Sequence, residues 1–202
     1  MGPVKFTLHS HEQSASGDSS TSMEGMLEEY EKQGFDVVGF VGHDSRPSPP
    51  RESGSIDVLT GVEHELQKEP TRLHMIEFPD QNLRILAHPK PTFPDRTEER
   101  AISMADKLGV DAVEMFNRGD KQMPEPVMDS YPRVASDDAH NTHQVGSSYM
   151  TADTENSVSG VVQAVKTGKL SLHNPGVTAT GHVAGRMHQG ISMMKFYAAG
   201  GK

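Results

Sequence analysis

The stretch KFTLHSHEQSASGD, residues 5–18, places His9 and His11 one residue apart at the end of an apolar run, with Asp18 following in the next loop. Residues two apart in a strand point to the same side. The two imidazoles therefore face one way and make a ready pair of metal ligands. Histidines and acids recur in the same kind of position further on: His43 in VGHDS, Glu63 in GVEHE, His74 in RLHMIE, His88 in LAHPK, and Asp138 and His140 in SDDAH. The chain has 11 histidines and no cysteine. Any metal is then held by imidazole and carboxylate, and disulfides, thiolate zinc sites and cysteine nucleophiles are excluded.

These residues gain meaning from the elements that carry them. Strands are expected at 4–8, 35–42, 56–63, 71–78, 83–88, 110–116, 131–136 and 169–173, and helices at 21–34, 97–109 and 157–168. The first helix has Thr21 and Glu24 at capping-box spacing, an apolar stripe of Met23, Met26, Leu27 and Tyr30, and Gly34 as its stop. Thr97 caps the second helix and Gly109 stops it; in the third, Val158, Val161, Val162 and Val165 face inward. Residues 46–55 read as a loop, and the Gly-rich tail, 174–202, is unassigned. Strands alternating with helices through short links predict a parallel α/β sheet, either open or closed as a barrel. No Gly-rich dinucleotide fingerprint follows the first strand. Most of the candidate ligands fall at the carboxyl ends of strands, where parallel folds carry their sites. His64, His143, His173, His182 and His188 sit off the strand ends or in the tail and are set aside as ligands.

At 202 residues the chain fits one domain, 1–202. Its net charge of −9 argues against broad nucleic-acid binding through the phosphate backbone. It leaves room for a small phosphorylated substrate, because metals supply positive charge locally. No apolar run approaches a membrane span, and the N-terminus lacks the pattern of a secretion signal, so a cytoplasmic protein is expected.

Nine ligands exceed the needs of one ion, since a zinc ion takes about four. With carboxylates able to bridge, they suggest two or three divalent ions, and clustered ions are a device for phosphoryl transfer. His and carboxylate ligands suit zinc, manganese and iron alike. The expected reaction is in-line attack on phosphorus by a metal-bridging hydroxide, with Glu63, Asp138 and His140 at its centre. Phosphate calls for one more cation, for which Arg118 is the best placed and Arg186 the second choice. Asp44 and Asp137 adjoin candidate ligands and serve either to orient or to bind.

Taken in order, LHSH, VGHDS, GVE, LAHP, VEMFN and SDDAH resemble the PHP (polymerase and histidinol phosphatase) family over residues 6–172. The resemblance implies an α/β fold, a distorted seven-stranded (β/α) barrel of PHP type, with a trinuclear metal site. Its nine ligand positions match His9, His11, Asp18, His43, Glu63, His74, His88, Asp138 and His140, with Glu63 as the carboxylate bridging two metals. Asp18 falls two residues later than the family's usual spacing, and GHD stands where the family usually has TDH. Glu114 matches a common family phrase but no ligand position, which implies a supporting role. The implied activity is metal-dependent phosphoester hydrolysis, of a monoester or a diester. The alternatives are a metal-binding module without turnover and a non-phosphate hydrolase on a related metal barrel.

Overall fold

The computed structural model describes residues 2–43, 45–51, 53–66, 74–89, 98–121 and 130–176. Strand β1 (Val4–Ser10) shows how the core is built. Its alternate apolar residues Val4, Phe6 and Leu8 share one buried cluster with Val37 and Val41 of β2 (Val37–His43) and Leu59 of β3 (Asp57–Glu65). Ile76 and Phe78 of β4 (His74–Phe78), and Leu83, Ile85 and Ala87 of β5 (Leu83–Ala87), complete that inner face. The alternate residues face outward, as period-2 strands require. Val38 and Phe40 pack on Met23, Met26, Leu27 and Tyr30 of helix α1 (Met23–Lys32). Met75 and Leu86, with Val113 and Met115 of β6 (Ala112–Asn117), pack around Ala105 of helix α2 (Glu98–Leu108). Helix α3 (Val158–Thr167) inserts Val161, Ala164 and Val165 into the inner cluster, with Val158 and Val162 only partly buried.

Two short strands, β7 (Asp120–Lys121) and β8 (Arg133–Ser136), follow β6, and β9 (Tyr149–Ala152) and β10 (Ser171–His173) come last. Among the described residues the sheet has ten strands in the order β10-β9-β1-β2-β3-β4-β5-β6-β7, with β8 paired to β6. A bridge between Ser10 and Ala139, with the His11 N–H donating to the Ala139 carbonyl at 2.8 Å, brings the end of β1 against the segment after β8. The sheet is thereby nearly closed into a barrel. The seven strands that the family resemblance implies are corrected to ten among the described residues.

The sheet is also mixed rather than parallel. Pairs β1–β2, β2–β3, β5–β6 and β6–β8 are parallel, whereas β3–β4 and β4–β5 are antiparallel. The link from β4 to β5 is one 3-10 turn at Pro79–Gln81 and a left-handed Asn82, too short for the crossover that a parallel pair needs. Strand β9 runs antiparallel to β1 and is not among the expected strands. The cap of α1 lies one residue later than expected, with Ser22 accepting from the Gly25 N–H at 3.3 Å. Gly34 and Gly168 stop their helices in left-handed conformations, at φ 72° and 66°. Among the described residues, no helix is long and apolar enough to cross a membrane. The Thr97 cap and the tail beyond residue 176 lie outside the described residues.

The inner face depends on two positions without side chains. A Cβ on Gly39 would meet the Phe78 ring at 2.8 Å, and one on Gly61 would meet the Glu77 carbonyl oxygen at 2.5 Å and the same ring at 2.8 Å. Phe78, fully buried, occupies the space they leave. Gly61→Ala is therefore expected to destabilise the protein by about 1–3 kcal/mol, the usual range for overpacking. Urea unfolding checks this: the midpoint falls with little change in the slope.

Candidate metal centre

The strand ends deliver polar groups to one rim of the barrel. Three of them follow plain alternation. His43 continues the inward series of Val37 and Val41, Glu63 that of Leu59, and His74 that of Ile76 and Phe78. Because β4 is antiparallel to both neighbours, its first residue, His74, lies at the same rim as the last residues of β3 and β5.

Four of the others need irregular backbone. Along β1, Thr7 pairs with Val38 but Ser10 pairs with Phe40, so one extra residue is accommodated between them. Such a bulge reverses which side the following residues face. It turns His9 and His11 inward, where Thr7 had faced outward. His88 and Asp138 have φ values of 25° and 45°, a region that non-glycine residues rarely adopt. The turn at His88 aims inward a side chain that alternation after Ala87 would send outward.

All nine expected side chains meet. Glu63, 2% exposed, lies at their centre. Its Oε1 is 2.7 Å from His74 Nδ1, 2.9 Å from His88 Nε2 and 3.5 Å from His9 Nε2. Its Oε2 is 3.1 Å from His43 Nδ1 and 3.3 Å from His11 Nε2. Asp138 Oδ1 stands 3.3 Å from His11 Nε2 and 3.5 Å from both His9 Nε2 and His140 Nδ1. Asp18 joins the far side through His43 at 3.3 Å and His140 at 2.9 Å. Three groups of these side chains have donor atoms close enough to hold an ion: His9, Glu63 and His88; His9, His11 and Asp138; and His11, His43 and His140. The donor set is nitrogen and oxygen throughout, as divalent transition metals accept. Among the described residues, buried His74 Nε2 has no hydrogen-bond partner, as an atom reserved for a further ligand would be. The residues fit divalent cations.

Arg118, at φ 51°, is turned onto the cluster. Its Nε lies 2.9 Å from Asp138 Oδ2, and a terminal nitrogen lies 2.7 Å from His140 Nδ1. Asp137 faces away from the cluster, accepting from Thr7 Oγ1 at 3.1 Å, Tyr30 Oη at 2.9 Å and the Gly146 N–H at 2.9 Å. It anchors the turn that carries Asp138. His64 pairs with Glu77 at 3.2 Å, away from the cluster. His173 stacks on Tyr149. Asp44, Arg186, His182 and His188 lie outside the described residues. Sequence reasoning missed the Arg118–Asp138 pair, because its only signal was an arginine next to a glycine.

Opposing effects set the protonation of the cluster. Burial alone would favour neutral carboxyls, but His9, His11, His43 and His74 hold Glu63 well below its ordinary range. Asp138 is likewise pulled well below its range, against burial, by Arg118, His9, His11 and His140. Burial opposes a charge on His9, yet Asp138, Glu114 and Glu63 raise its pKa well above the ordinary value. His43 is raised to about 10 by Asp18 and Glu63, again against burial. His140 is lowered to about 4 by burial, His11 and Arg118.

In the metal-free protein, then, imidazole protons hold the carboxylates together. His43 has a folded pKa above its unfolded value, so its stabilisation is complete below about pH 6.5. That stabilisation is lost as pH rises through about 10. The thermal midpoint of chelator-treated protein is expected to fall across this window, and the His43→Gln variant to show a flatter profile. Melting curves from pH 6 to 10 on both proteins check it.

No family model matches the chain, and no curated protein matches it in sequence. Solved structures do. A two-domain protein from Bacteroides vulgatus, containing a predicted PHP-like metal-dependent phosphoesterase, aligns with TM-score 0.64 at 14% identity over 86% of this chain. PfuEndoQ, a lesion-specific endonuclease from Pyrococcus furiosus, aligns with TM-score 0.61 at 16% identity over 85%. PsfC from Pseudomonas syringae aligns with TM-score 0.57 at 13% identity, over 95% of this chain and 99% of its own. The chain spans 65% and 58% of the lengths of the first two. The nearly closed barrel and these neighbours together give this chain a PHP-type fold.

Proposed function

We propose that this chain is a metal-dependent phosphoesterase acting on a small phosphomonoester or phosphodiester, with two or three divalent ions held by the nine side chains. One observation carries the reading: a single buried carboxylate, Glu63, contacts five imidazoles through both of its oxygens. A carboxylate whose two oxygens face different histidines is arranged to hold two ions side by side. The neighbour containing a predicted PHP-like metal-dependent phosphoesterase supports the same chemistry.

The ions, when bound, supply Lewis acidity, offsetting charge on the phosphoryl oxygens and making a water acidic enough to attack near neutral pH. The chain does the rest. His9, His11 and Asp138 hold one face of the cluster, and His43, His140 and Asp18 hold the other. Arg118 keeps Asp138 ionised and oriented. Its side chain is 30% exposed, so an arriving phosphoryl oxygen can also reach it. His140, lowered to about 4, is neutral at working pH. A neutral imidazole presents a lone pair, as a ligand must. The net charge of −9 favours a small ester over an extended nucleic acid. The lesion-specific endonuclease among the neighbours keeps diesters in the panel.

The test is product release from small phosphomonoesters and phosphodiesters by protein reconstituted with Mn²⁺ or Zn²⁺. Asp138→Ala is expected to lower both metal content and turnover, the latter by more than the 10–100-fold typical of losing a partner behind a ligand. Full metal and full activity in Asp138→Ala would refute the site. Two or three bound ions with no turnover on any ester would favour a binding module.

A further inference from the structure

Glu114 sits behind the cluster, fully buried, with both oxygens engaged. Oε1 lies 2.9 Å from His9 Nδ1. Oε2 accepts from the His88 backbone N–H at 2.7 Å and from Asn117 Nδ2 at 3.0 Å. An ionised carboxylate only accepts hydrogen bonds, so His9 must present Nδ1–H to it. Once His9 gives up its other proton on metal binding, its lone pair is on Nε2, the atom that faces Glu63 and Asp138 at 3.5 Å each. The other oxygen fastens His88 at its left-handed turn, φ 25°, the conformation that brings its ring to Glu63.

We infer that Glu114 is a positioning residue that sets which nitrogen of His9 is offered to metal and holds His88 in its inward turn. The inference rests on the metal-binding reading above and deepens it. It assigns Glu114 to one end of the cluster. His9 belongs to two of the three groups, with Glu63 and His88 and with His11 and Asp138, but its single Nε2 lone pair serves one ion. Among the described residues, the hydrogen bonds of Glu114 go to His9, His88 and Asn117 rather than to His11, His43 or His140.

Glu114→Gln separates charge from shape. The amide has one acceptor oxygen and one NH2 donor. Two donors, the His88 N–H and the Asn117 amide, already meet at the Oε2 position. The amide oxygen must stay there to accept them, so the NH2 faces His9 Nδ1. That nitrogen must then accept, which puts the proton on Nε2 and removes the lone pair from the ligand atom. The expected consequence is a 10–100-fold weaker affinity for one ion, with the affinity of the remaining ion or ions unchanged. A merely structural role would instead weaken all ions together, with a lower melting temperature in the metal-free protein.

The experiment is Zn²⁺ titration of native and Glu114→Gln protein by calorimetry, with 15N NMR of the histidine rings in the zinc-loaded native protein. Native protein is expected to show His9 with Nδ1–H retained and zinc on Nε2. The variant is expected to lose affinity in one binding step only. Zinc on His9 Nδ1, or a variant that matches the native titration, would overturn the inference while leaving the metal site standing. Native protein that binds no zinc would overturn the proposed function itself. If the variant fails to fold, the native His9 spectrum still decides the tautomer.

Discussion

A carboxylate taken almost wholly out of water stays ionised only if charge or hydrogen bonds surround it. Glu63 meets this requirement with five imidazoles drawn from four segments: His9 and His11 from β1 and the residue after it, His43 from β2, His74 from β4, and His88 after β5. Much of the barrel's rim follows from that demand. The antiparallel turn of β4 brings His74 to the right end, and the bulge in β1 brings two histidines to the right side. Without metal, His9, His43 and His88, whose pKa values the carboxylates raise, offset the charge of Glu63 by keeping their own protons. A metal ion must displace those protons, so ligand binding and proton release are one event.

The irregular backbone is concentrated where the chemistry would be. Apart from Asn82 in the β4–β5 turn, the described non-glycine residues with positive φ are His88, Arg118 and Asp138. Each is held by bonds that outlast its local strain. The His88 N–H goes to Glu114, the Arg118 N–H goes to Ser136 O at 3.1 Å, and Arg118 Nε goes to the Asp138 carbonyl at 2.9 Å. Strained residues persist only where their surroundings over-determine them, and they collect at sites whose geometry matters more than local comfort. Behind Asp138, Asp137 joins Thr7, Tyr30 and the loop at Gly146, so the turn is fixed from its apolar side as well.

The side chains that meet in the candidate site were legible in the sequence because their types are rare in strands and recur at strand ends. Their facing was only partly legible. Alternation places His43, Glu63 and His74 correctly, but a bulge leaves no mark in KFTLHSH, and nothing in LAHPK announces a left-handed histidine. Helices α1 and α3 were legible because their apolar stripes are long enough to average out exceptions. Strand β7, of two residues, carries no pattern to read, and β9, YMTA, follows the GSS of 146–148 and precedes Asp153, a setting that reads as loop. The parallel expectation failed where sequence spacing was misjudged. Four residues between Phe78 and Leu83 cannot hold a crossover, so β4 and β5 must form a hairpin.

The charge of the site constrains the order in which it can work. Four carboxylates, Asp18, Glu63, Glu114 and Asp138, face the histidines, and Arg118 is the arginine that reaches them among the described residues. When the histidines give up their protons to act as ligands, this arrangement is net negative and repels a phosphate. Two divalent ions are already enough to reverse the sign. In the proposed reaction the metals are therefore a condition for substrate binding before they are agents of catalysis. The overall charge of −9 adds to the same constraint, because long-range steering of an anion is unfavourable and attraction has to come from the cluster at short range. On the proposed function, a site of this kind would select for a compact phosphate that can enter the rim and meet the ions directly, rather than for a long polyanion held along a surface.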